Sequence, residues 1–154
     1  MTSANTWPLR TVAHAADMKP RALRQWFDTG VLKLRGNDRK STGSGHHCGI
    51  SRRRALQAAI TQTCNRHRMS VSYAARAASL FTDEAQPDRP PGELFSDART
   101  FLVFRKDGPV VVKADYDASF SDLSGYHDSV VAIDLKQIVQ RVDSILNSKS
   151  NIER

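Results

Sequence analysis

Cysteine is scarce in this chain: Cys48 and Cys64 are the two among 154 residues. Two thiols cannot supply the dense cross-linking of small extracellular scaffolds, so a packed core must hold the fold. A 40% hydrophobic content is enough for one. Long apolar runs are missing as well. No stretch approaches the ~20 residues that span a bilayer, and no charged start followed by an apolar segment opens the chain. The expectation is a cytoplasmic protein without a membrane partner and with reduced thiols. Catalytic signatures are also missing: there is no phosphate loop, no G-x-S-x-G and no H-E-x-x-H. Asp115, Asp117, Asp122, Asp128 and Asp134, with His127, are dispersed and lack the spacing of a calcium loop. They read as solvated acids, and no enzyme activity or cofactor is expected. His46, His47, Cys48, Cys64 and His67 are metal-capable by type. A helix between the cysteines would separate them by about 20 Å, whereas zinc ligands lie within about 2.0–2.3 Å of one ion. No metal site is expected.

Acidic residues are few in the first half. Residues 1–80 hold 14 Lys and Arg against 3 acids, and residues 81–154 hold 9 against 13. A basic half joined to an acidic one suggests a nucleic-acid module attached to something else.

The basic half is organised around Leu9 to Leu32. Thr11 to Ala16 reads as a short helix, and Asp17-Met18-Lys19 breaks it. Pro20 suits the first position of a second helix, where its missing N–H is not needed. Leu23, Trp26 and Phe27 form that helix's apolar face, Arg21, Arg24 and Gln25 fall on other faces, and Gly30 suits the end. Two short helices with a basic outer face on the second have the layout of a helix-turn-helix.

Ala13, Met18, Pro20, Arg21, Leu23, Arg24, Trp26, Gly30, Val31 and Leu32 follow a pattern that resembles the MerR family of winged-helix DNA-binding proteins. Asp17 stands where that family has glycine, Lys19 where it has serine, and Gln25-Trp26-Phe27 where it has Tyr-Tyr-Glu. The resemblance extends to Leu80. It implies a wing over residues 33–51, rich in glycine and basic residues and ending at Cys48-Gly49-Ile50-Ser51. Ser51 is expected to cap a third helix to about Arg66, with a stripe of Leu56, Ala59, Ile60 and Thr63. Ser70 is expected to cap a fourth, Val71 to Phe81, with a small-residue face of Val71, Ala74, Ala75 and Ala78. Arg52, Arg53 and Arg54 oppose the dipole at the start of the third helix. The fold alone would not ask for them; a phosphate backbone would.

Residues 82–98 read as a linker, because three prolines and a glycine between 82 and 93 forbid a continuing helix. The resemblance would place a long dimerisation helix and effector-binding cysteines here, and this chain has neither. Phe101 to Phe104 and Val110 to Val112 flank Lys106-Asp107-Gly108-Pro109 as a β-hairpin. A polar loop follows over 115–128, then a strand at Val130 to Ile133. Asp134 caps a last helix with a stripe of Leu135, Ile138, Val139, Val142 and Leu146.

The expected fold is α+β: a winged helix-turn-helix domain over 1–81, a linker over 82–98, and a small α+β unit over 99–154. Residues 1–8 are expected to be a mobile polar arm, with packing of Trp7-Pro8 on the domain, where the chain enters it, left open. A three-stranded sheet with one helix is a thin core, to be completed by the first domain or by a second copy of the chain; the second copy is favoured, since DNA readers usually bind as dimers. The expected function is a sequence-specific transcriptional regulator, a dimeric repressor reading an inverted repeat in double-stranded DNA. Arg21, Arg24 and Gln25 are its candidates for base edges. Lys19, Arg35, Arg39, Lys40, Arg52, Arg53 and Arg54 are its candidates for phosphates. The alternatives are an architectural DNA-binding protein and an antitoxin-like adaptor that holds a protein partner through 99–154.

Overall fold

The computed structural model describes residues 5–36, 38, 39 and 49–150, the last two by their backbone alone. The elements run β1 (Thr6–Trp7), α1 (Leu9–Ala15), α2 (Pro20–Asp28), β2 (Ile50–Ser51), α3 (Arg52–Arg66), α4 (Val71–Thr82), β3 (Arg99–Arg105), β4 (Gly108–Ala114), α5 (Phe120–Ser124), β5 (Val131–Asp134) and α6 (Leu135–Ser150). Among the described residues the fold mixes six helices with two small antiparallel sheets. No helix among them is long and apolar enough to cross a membrane.

The helix α3 is the hub. Its start is set by Ser51, whose hydroxyl accepts the Arg54 N–H, the side-chain cap a helix terminus requires. Leu56, Ala59 and Ile60 are buried, but so are Ala55, Gln57, Ala58, Thr61 and Cys64. One stripe was expected; three neighbours, α1, α4 and α6, enclose the helix instead. Alanines make this possible, because small side chains let helix axes approach. Ala74, Ala75, Ala77 and Ala78 of α4 are buried as the partners of that approach. Ser70 caps α4 by accepting the Tyr73 N–H.

Sheet order in the C-terminal half is β4-β3-β5, both neighbours antiparallel to β3. Phe101 faces Val112 and Arg105 faces Gly108 across the hairpin. Its two central residues are therefore Lys106 and Asp107, and Gly108 takes φ +125° just after them, a conformation that favours glycine. The period-2 alternation of β3 divides its side chains. Leu102 and Phe104 join the helices in the main core. Phe101 and Val103 pack on the opposite face with Ala114, Val110 and Leu123. Asp134 accepts the Lys136 N–H at the start of α6, and Leu135, Ile138, Val139, Val142 and Leu146 are all at most 5% exposed.

Four expectations need correction. The first eight residues are not all arm: Thr6 and Trp7 pair with Ser51 and Ile50, and the Trp7 indole donates to the Leu146 carbonyl at 3.0 Å. The thin C-terminal core is completed by its own chain rather than a second copy, since α6 packs on α1 and α3. Leu102, Ile133 and Val142 accordingly share one buried cluster with Val12, Leu23 and Ile60, across the expected domain boundary. The polar loop contains a short helix, α5, closed by a reciprocal capping box of Ser119 and Asp122.

The fourth correction concerns 82–98, which is packed rather than a loose linker. Arg89 is 2% exposed and lies at the C-terminal end of α4. Its guanidinium donates to the carbonyls of Leu80, Phe81, Glu84, Pro90 and Glu93 and to Gln86 Oε1. It also sits 4.9 Å from the ring centroid of Phe81 and 5.8 Å from that of Phe95. The cation thus satisfies the open carbonyls that end α4, and burial lowers its pKa from the ordinary arginine value.

Candidate nucleic-acid interface

The outward face of α2 follows from its sequence. Pro20 takes the first helical position, with Lys19 before it in extended conformation. Leu23 is fully buried, and Trp26 and Phe27 pack against the same core. That fixes the helix rotation and leaves Lys19, Arg21, Arg24 and Gln25 exposed. Arg21, Arg24 and Gln25 stand at i, i+3 and i+4, so they share one ridge. The first turn holds no acid and receives no side-chain cap. Three cations and an open helix N-terminus therefore present positive potential together. Gly30, at φ +79°, ends the helix and donates its N–H to Phe27, while Leu32 donates to Trp26.

The turn between α1 and α2 needs one left-handed residue. Asp17 supplies it at φ +56°, a conformation that short polar side chains tolerate better than most. Arg66 braces it, donating to the Asp17 carbonyl and carboxylate, each at 2.8 Å. That hydrogen bond and the Arg66 charge hold the Asp17 carboxyl below its ordinary pKa.

Asp38 organises the start of the basic loop. Its carboxylate accepts the Arg35 N–H at 2.7 Å and the Ser51 N–H at 2.6 Å, and its side chain is fully buried. Arg39 and Gly49 exchange both backbone hydrogen bonds. A Cβ at Gly49 would stand 2.7 Å from Thr6 Oγ1, so this close approach requires glycine. Arg35 and Arg39 are exposed; Arg39 donates to Thr6 Oγ1. Lys40 and the rest of the expected wing, with His46, His47 and Cys48, lie outside the described residues.

The arginine triplet divides three ways, and two of its members correct the expectation that the fold would not ask for them. Arg52 makes a bidentate pair with Asp143 at 2.7 and 3.0 Å and also reaches Glu93. It thereby ties the start of α3 to α6. Arg54 is 2% exposed and donates to Gln57 and Asp83, with the Asp38 carboxylate 3.7 Å from its Nε. Gln57 passes the connection to α4 by donating to the Ala75 carbonyl. Only Arg53 of the three is exposed. Two missed cations join the surface set: Lys33, just after α2, and Arg76, both exposed. The signal for Arg76 was its place as a lone cation within the alanine run of α4.

The other chemistry-bearing residues are dispersed. Cys64 is buried and unbonded to another sulfur, and burial pushes its thiol up to about 12. His67 is exposed at the end of α3. Among the described residues no three His, Cys, Asp or Glu side chains could hold a metal ion. Asp122 serves its cap, His127 lies 3.4 Å from Asp107, and Asp134 pairs with Arg99.

The chain matches no protein-family model, and no curated protein shows significant similarity to it.

Proposed function

We propose that this protein is a sequence-specific DNA-binding transcriptional regulator that inserts α2 into the major groove. One observation carries the reading: the buried Leu23 side turns Arg21, Arg24 and Gln25 outward on a single ridge. Arginine suits the paired acceptors of guanine, and glutamine suits the donor–acceptor pair of adenine. Lys19 and Arg53, with the loop residues Arg35 and Arg39, supply backbone contacts around that helix. Arg52 and Arg54 serve the fold, so they drop out of the phosphate set.

Repression through an inverted repeat requires two copies. The apolar stripe of α6 is buried within one chain, so a pairing through the C-terminal unit uses a different surface. The test is selection of bound duplexes from a random pool at about 150 mM salt, which suppresses purely electrostatic binding. An enriched motif supports the reading, and two inverted half-sites within it would establish a dimer. Recovery of unselected sequence would overturn specificity and leave the architectural reading.

A second reading has its own observation. Tyr116, Phe120, Tyr126 and Val131 are 69%, 59%, 106% and 43% exposed, all within the C-terminal half. Exposed aromatic side chains are enriched at protein interfaces, which favours an adaptor that holds a partner through 99–154. Stable co-purification of a protein that is lost in Tyr126→Ala would support it.

A further inference from the structure

We propose that the cleft between the C-terminal turn of α2 and the outer face of α4 is a phosphate-binding site. The cleft measures about 550 Å³, within the range of small-ligand pockets. Exposed Lys33, Arg35 and Arg76 line it together with Ser72, Ser79 and the buried pair Arg54 and Gln57. No carboxylate is among its lining residues.

Several cations outside the cleft are paired with acids. Arg52 has Asp143 and Glu93, Arg66 has Asp17, Arg99 has Asp134, and Lys113 has Asp88 and Asp97. Among the described residues no acid lies within ion-pair distance of Lys33 or Arg76, and Arg35 reaches only Asp83, at 3.9 Å. Three like charges around one cavity repel one another, and a bound dianion relieves that repulsion. One further observation points the same way. Ser72 lies in the first turn of the 12-residue helix α4, which carries no acid there, so the positive end of its dipole adds to the field. Guanidinium groups bind phosphoryl oxygens in pairs, and the Ser72 hydroxyl can donate to one that remains; the Ser79 hydroxyl already donates to the Arg76 carbonyl.

Phosphoryl oxygens could reach the cleft in two ways: on a small phosphorylated molecule, or on the backbone of a duplex bound to α2. The second source rests on the DNA-binding reading; the first does not. The two are separated by titrating the full chain with inorganic pyrophosphate in a calorimeter at about 150 mM salt, and in parallel with the selected duplex across a salt series. The variants are Arg76→Ala and Lys33→Ala, with Lys136→Ala on the exposed side of α6 as control. For a free phosphate, pyrophosphate binds saturably with one site per chain. Each cleft variant weakens it about tenfold, the loss of a charge-assisted hydrogen bond, and Lys136→Ala leaves it unchanged. For a backbone phosphate, pyrophosphate does not bind. Arg76→Ala then lowers duplex affinity and reduces the salt slope by about one. Pyrophosphate binding in a protein that binds no duplex would sink the DNA reading and leave the site standing. Absent pyrophosphate binding would overturn the proposal if no duplex binds either, or if duplex binding is unchanged in both cleft variants.

Discussion

Replacing Arg89 by alanine should be among the most damaging single changes in this protein outside the apolar core. The guanidinium satisfies five backbone carbonyls, those of Leu80, Phe81, Glu84, Pro90 and Glu93, and fills the space beside Phe81 and Phe95. A hydrogen bond to a charged donor contributes about 1.5–3 kcal/mol net, but five bonds from one group do not add, and burying the charge offsets part of the gain. Water entering the gap would recover some acceptors. The net expectation is a loss of about 3–5 kcal/mol, of the order seen for truncating a large buried side chain. In a chain of this size each kcal/mol lowers Tm by about 2–4 °C, so Tm should fall by about 6–20 °C. Urea unfolding followed by circular dichroism gives the free energy, and two companion variants divide it. Arg89→Lys keeps the charge but not the planar fork, and should recover less than half. Arg89→Met fills much of the space without donors, so it isolates the hydrogen bonds. If Arg89→Met is as stable as the parent, the carbonyls are not held by the guanidinium and the reasoning fails.

Other outcomes follow from the same contacts. Arg24→Ala should abolish selective DNA binding with an unchanged circular dichroism spectrum, because Arg24 is exposed on the side away from Leu23; unfolding of this variant would make Arg24 structural. A double-mutant cycle of Arg52→Ala and Asp143→Ala should return a coupling of about 1 kcal/mol, typical of a well-aligned, partly screened pair, and a coupling near zero would remove the proposed tie between α3 and α6. Cys64 should resist a thiol reagent at pH 8 until the protein unfolds, tested in Cys48→Ser so that one thiol is read. Its thiol ionises near 9 when unfolded and at about 12 when folded, so its contribution is intact below pH 9 and is lost as pH rises from 9 to 12. Rapid labelling of the native protein would contradict that burial. Truncation after Glu84 removes α6 from the faces of α1 and α3, so residues 1–84 should show no cooperative melt; a sharp transition would show that the N-terminal half folds alone.

Local signals mark most of the longer elements. Pro20, Ser51, Ser70 and Asp134 mark helix starts by chemistry that acts within one turn, and the apolar stripe of α6 is unambiguous. The exposed ridge of α2 was legible for the same reason, since one buried leucine fixes the rotation of a nine-residue helix. What escaped was long-range pairing. A run of three arginines reads as a cationic patch. Asp143 stands 91 positions from Arg52, and Asp83 stands 29 from Arg54. Nothing local announces these partners. Arg89 was hidden by its surroundings, because prolines and acids normally mark exposed chain. The cleft beside α4 joins residues from three elements, so no window of sequence contains it.

The contact between Trp7 and Leu146 spans 139 positions, and it bears on how the chain is made. During synthesis α1, α2 and α3 leave the ribosome well before α6, at a rate of about 5–20 residues per second. Until α6 follows, the faces of α1 and α3 that it covers stay open, and a nascent chain in that state offers them to chaperones or to other unfinished chains. Folding therefore waits for the last helix, and the high sequence separation of its contacts makes the closing step slow. An incomplete product would thus lack a finished platform beneath α2, so competence of the first half would depend on translation having reached the end of the last helix.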